Sequence, residues 1–127
     1  MSKLIGLIGW FKQDGIRLST NPIFALPKIY SPNGDRCMFS GVVIMEDDDT
    51  FAGYMNDDCG QSAIDGRIVD AELIFEKQYL HRKDKIQYKL RLLQQQGMHF
   101  KGGYEGTVVG RGDAQISLVT LPEKFLE

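Results

Sequence analysis

From Arg67 to Leu92 the chain alternates apolar and polar residues almost without interruption. Successive side chains of a strand leave on opposite faces, so this pattern suits a half-buried strand and defeats a helix. Val69, Ala71, Leu73 and Phe75 fall on one face of an Arg67–Tyr79 strand. Asp70, Glu72, Glu76 and Gln78 fall largely on the other. After His81-Arg82-Lys83-Asp84 the alternation resumes: Ile86, Tyr88, Leu90 and Leu92 on one side, Gln87, Lys89 and Arg91 on the other. Two alternating runs joined by a short polar loop predict a β-hairpin.

Weaker strand signals surround it. Cys37–Met45 contains Val42-Val43-Ile44 and ends in Glu46-Asp47-Asp48-Asp49, and Thr50–Asn56 follows at once, so a second hairpin is expected. Asn56–Gly60 supplies a turn into a short strand near Ser62–Asp65. Gly102–Val109 and Ala114–Leu121 form a last pair around Gly110-Arg111-Gly112-Asp113. Pro22, Pro27 and Pro32 interrupt Asn21–Ser31, which favours an edge strand or an extended arm. A short helix over Ser2–Lys12 is an alternative that Gly6 and Gly9 weaken. The expected fold is all-β: an antiparallel up-and-down meander of about eight strands in a closed or nearly closed barrel. At 127 residues it forms one domain, with 1–36 an N-terminal arm and edge segment and 37–121 the core meander.

Glycine argues for closure. The chain has 14, where average usage gives about nine. Phe39-Ser40-Gly41, Phe51-Ala52-Gly53 and Tyr104-Glu105-Gly106 repeat an aromatic-x-Gly spacing that puts ring and glycine on one face. Bare backbone there permits sharp bends, and a nearby ring can cover it. Phe51-x-Gly53, Asp57, Gly60, Ile64-x-Gly66 and Phe75-x-Lys77-x-Tyr79 together resemble the strand rhythm of calycin-type barrels, the lipocalin-like and avidin-like group. The resemblance covers roughly 37–121 and implies a barrel with an internal pocket. It departs from the Gly-x-Trp marker of lipocalins, because Trp10 directly follows Gly9.

An eight-stranded barrel either fills itself or holds one small ligand. The alternation predicts Tyr54, Leu73, Phe75, Tyr88, Leu90 and Tyr104 inside. Tyr54, Phe75, Lys77, Tyr88 and Tyr104 are the candidate ligand-binding residues. Lys77 shares the face of Leu73, Phe75 and Tyr79, where it either meets a carboxylate or phosphate at the mouth or snorkels to water. The leading expectation is a noncatalytic barrel binding a small, partly apolar or acidic ligand. The rival is a structural or interaction module that self-associates without one.

Other functions find little footing. A net charge of −2 argues against a general nucleic-acid binder. Consecutive aspartates in Glu46–Asp49 and Asp57-Asp58 diverge and match no calcium loop, so they read as solvated turns without metal. His81 and His99 sit in no catalytic motif, and no cofactor is implied. Cys37 and Cys59 read as two buried reduced thiols. The apolar run Leu4–Phe11 is too short to span a bilayer and no cleavage site follows, so a cytoplasmic protein off the membrane is expected. Those apolar groups, Leu4, Ile5, Leu7, Ile8, Trp10 and Phe11, must plug the barrel or meet a second subunit, which leads to an expected homodimer.

Overall fold

The computed structural model describes residues 2–13, 36–93, 97–107 and 110–122. Its eight strands are β1 (Lys3–Gln13), β2 (Cys37–Met45), β3 (Thr50–Asp57), β4 (Gly60–Val69), β5 (Glu72–Tyr79), β6 (Ile86–Leu92), β7 (Met98–Gly106) and β8 (Gly110–Thr120). Each pairs antiparallel with the next, and β1 also pairs with β8, so the meander closes on itself. The all-β barrel expected from alternation is the fold observed.

The N-terminal segment differs from the expectation. Lys3–Gln13 is neither helix nor arm but a barrel strand, with Gly6 opposite Val42 on one side and Val119 on the other. Ile5 and Leu7 are buried inside, while Ile8 stands exposed outside. The proline-broken Asn21–Ser31 lies outside the described residues.

The predicted Arg67–Tyr79 strand is in fact two strands. Asp70 and Ala71 form a two-residue turn in which both have positive φ, 51° and 66°. Such a turn matches the twist of a hairpin but is disfavoured for residues with a Cβ, glycine being the usual choice. Crossing it shifts the alternation by one, so Val69 pairs with Glu72 on the outside instead of sharing the inner face of Leu73. The short strand near Ser62–Asp65 accordingly grows to ten residues. The last turn also falls earlier than expected, with Gly106 already paired to Gly110.

Inward-facing glycines let the strands crowd together. A Cβ on Gly41 or Gly53 would collide with the carbonyl oxygen of Tyr54 or Val42 on the neighbouring strand. Several such glycines lie opposite a ring: Gly9 faces Phe39, Gly66 faces Phe75 and Gly112 faces Tyr104. Small therefore meets large across adjacent strands, and the rings reach the barrel axis. Phe75 stacks on Tyr88 at 4.5 Å between centroids, and Tyr88 on Tyr104 at 5.2 Å. Phe11 closes on Tyr104 edge to face at 5.7 Å. Towards the opposite end, Leu7, Val43, Phe51, Leu73 and Ile116 line a crevice of about 10 Å³, room for at most a single water.

Candidate functional site

Along β5 the alternation turns Leu73, Phe75, Lys77 and Tyr79 inward, so Lys77 enters a low-dielectric core. Its ammonium is fully buried and does not snorkel. Nζ donates to Asp57 Oδ2 at 2.8 Å, and the Tyr79 hydroxyl donates to the same oxygen at 2.8 Å. The Cys59 amide donates to the other oxygen at 2.7 Å. Rings complete the enclosure: Nζ lies 4.6 Å from the centre of Phe11, 4.5 Å from Tyr79 and 5.7 Å from Tyr88. A desolvated charge costs several kcal/mol unless paired and hydrogen-bonded, and these contacts are what make the burial tolerable.

Proton affinities follow from the same burial. Desolvation holds Lys77 below the usual lysine range, and the Asp57 carboxylate pulls it partly back. Tyr79 is pushed well up, by burial first and then by its bond to Asp57. Tyr88 is raised by burial and by Tyr104 beside it. Burial pushes the Cys37 thiol up to about 11, which leaves it a weak nucleophile at neutral pH. Both cysteines are free thiols, as expected, but Cys37 is only half-buried and Cys59 is exposed, so neither is the buried thiol the sequence suggests.

Phe75, Lys77, Tyr88 and Tyr104 are thus brought together inside. Tyr54 is not. It stands 54% exposed on the outer wall, because Phe51, Gly53 and Met55 occupy the inward positions of β3. That same parity carries Asp57 inward, which corrects its reading as a solvated turn residue. The companion acidic turn behaves as expected, with Asp48 bonded to the Thr50 amide and hydroxyl in solvent. His99 Nδ1 lies 2.7 Å from Ser117 Oγ across β7 and β8, an exposed cross-strand polar contact. Since Asp57 already neutralises Lys77, the interior presents no spare positive charge from this lysine to an incoming anion.

The outer wall divides into two unlike halves. On β5–β8 it is charged, with Glu72 near Lys89 and Arg91, Glu76 near Lys85, and Arg111 on Glu105. On β1–β3 it is mainly apolar, and β4 adds Ala63 beside the exposed Gln61, Asp65 and Arg67. Leu4 lies opposite Ile44, Gly6 opposite Val42, Val42 opposite Tyr54, and Tyr54 opposite Ala63. Ile8, Met38, Val42, Ile44 and Tyr54 are all exposed there. Between them runs a trough of about 880 Å³ lined by Leu4, Val42, Ile44, Ala52, Tyr54 and Ala63, together with the polar Ser40, Asn56 and Asp65. Three strands spaced ~4.8 Å and about seven residues of ~3.4 Å make this face roughly 340 Å² in projection. Exposed apolar patches beyond a few hundred Å² mark contact surfaces.

No protein-family model matches the chain, nor does any curated protein or solved structure. The geometry alone defines the class, a closed eight-stranded antiparallel meander barrel.

Proposed function

We propose that this protein is a noncatalytic interaction module of calycin-like architecture that acts through the outer face of β1–β3. The apolar wall carries the reading: nonpolar side chains stand in water over three adjacent strands while the far half of the barrel is conventionally charged. The strand count, the antiparallel meander and the closure through β1 and β8 support the calycin-like assignment.

Binding of a small apolar or acidic ligand inside has weaker support. Stacked rings occupy the axis, the lysine suited to an anion is already paired, and the far-end crevice is water-sized. Phe75, Lys77, Tyr88 and Tyr104 then serve as a rigid core that keeps the wall in shape. Native mass spectrometry of freshly purified protein tests the choice. The module predicts chain mass or whole multiples of it, with no small molecule retained. A stoichiometric adduct released on unfolding defeats the module and restores the ligand binder.

A further inference from the structure

We propose that Cys37 and Cys59 form a modification site at the mouth of the barrel, where a low-molecular-weight disulfide such as oxidised glutathione converts the two thiols into a reversible Cys37–Cys59 bond.

Register brings the two residues together. β2 and β3 pair with Ser40 opposite Asn56 and Phe39 opposite Asp57, and the same ladder carried two residues further sets Cys37 against Cys59. Opposed residues of antiparallel strands have Cα atoms about 4.5–5.5 Å apart, inside the ~4.4–6.8 Å span of a disulfide. β3 ends at Asp57, so Cys59 stands in the turn that caps this ladder.

That turn is held over the mouth. The Cys59 amide donates to Asp57 Oδ1 at 2.7 Å, while Lys77 and Tyr79 hold the other carboxylate oxygen from inside at 2.8 Å. The turn also reaches the Cys37 sulfur. Burial does most to raise the proton affinity of that thiol, but the Asp58 backbone hydrogen-bonds it and Cys59 acts on it through space. A sulfur bonded to residue 58 lies beside residue 59.

Exposure divides the labour. Cys59 is exposed and meets an incoming disulfide first, with Cys37 half-buried behind it. The Cys59 thiolate attacks one sulfur of RSSR, forms a mixed disulfide and expels RS⁻. The Cys37 thiolate then attacks the Cys59 sulfur and expels the second RS⁻. The protein gives up two electrons and two protons, RSSR takes the electrons, and the protons end on two molecules of RSH. With its pKa pushed up to about 11, Cys37 makes the second step the slower one.

The test treats the folded full-length chain with excess oxidised glutathione at pH ~8.5 and follows intact mass and a nonreducing peptide map. The mass should fall by two hydrogens, a linked Cys37–Cys59 peptide should appear, and dithiothreitol should reverse both. Closing a loop of about 20 residues should raise Tm by roughly 7–15 °C. Cys37→Ser should instead keep one glutathione on Cys59 and show no such rise. Cys59→Ser, left with the half-buried thiol, should react at least tenfold more slowly. A wild-type chain that stops at a glutathione adduct, links two chains through Cys59, stays unreacted or closes the bond only in urea overturns the proposal. So does a linked pair whose Tm fails to rise.

Discussion

Breaking the Lys77–Asp57 pair from one side should hurt more than removing it altogether. Both side chains are fully buried and 2.8 Å apart, so deleting either strands the other charge in the core. In Lys77→Met the Asp57 carboxylate keeps two donors, the Tyr79 hydroxyl and the Cys59 amide. The expected loss lies at the low end for a broken buried pair, about 3 kcal/mol. In Asp57→Ala the ammonium retains only ring faces, and the Tyr79 hydroxyl loses its acceptor. That loss should reach about 5 kcal/mol. The double variant buries no charge, and the chief remaining penalty is the unpaired Tyr79 hydroxyl, about 2 kcal/mol. An unfolding entropy of about 0.27 kcal/mol/K for 127 residues turns these into Tm drops of roughly 11, 19 and 7 °C. Urea titrations and thermal melts at pH 7, followed by circular dichroism, give all three. If the double variant loses the sum of the single effects, the two charges are not coupled and the argument fails.

Three further outcomes are expected. Ala71→Gly should stabilise the protein by about 1 kcal/mol, because Ala71 is held at φ 66° in a turn that glycine enters freely; a lower urea midpoint contradicts this. Gly66→Ala should cost about 2–3 kcal/mol, since its Cβ runs into the Ile74 carbonyl oxygen. Gly6→Ala, whose Cβ meets only the Leu121 side chain at 3.5 Å, should stay within about 0.5 kcal/mol, and equal losses at both sites would remove the case for backbone crowding. Titrated at 295 nm, Tyr79 and Tyr88 should ionise only as the protein unfolds, so reversible ionisation of all five tyrosines near pH 10 in the folded state contradicts the burial argument. The linkage has a definite sign. Above pH ~10 the unfolded tyrosines lose protons that the folded ones keep, so each removes about 1.4 kcal/mol per pH unit. Lys77, depressed in the fold, offsets this until the unfolded lysine titrates near 10.4, and the full decline sets in beyond that.

What the sequence reveals depends on whether the two faces of a strand differ. In β6 they differ sharply, Tyr88 and Leu90 inside against Lys89 and Arg91 outside, and the strand is plain to read. In β1 they do not. Leu4 to Phe11 is apolar on the core side and nearly so on the wall side, and this hides the period of two and leaves helix or arm as readings. The missing alternation is the trace of the outer wall itself, repeated at Val42-Val43-Ile44. The Asp70-Ala71 turn escapes because neither residue advertises positive φ. Tyr54 looks like a core ring by residue type, but Phe51 and Gly53 take the inward positions of β3 and parity turns it outward. Asp57 and Lys77 lie 20 positions apart on strands separated by β4, so no local pattern joins them.

Closure through β1 and β8 also bears on how the chain is made. β2 can cover one edge of β1 soon after synthesis, but the opposite edge waits for β8, 97 residues after Gln13. At ~5–20 residues per second that wait lasts about 5–20 s. Throughout it the nascent chain carries an open strand edge that is greasy on both sides, the form most prone to wrong pairing with a neighbouring chain. The ribosome therefore makes β1, apolar on both faces, well before the strand that completes its pairing.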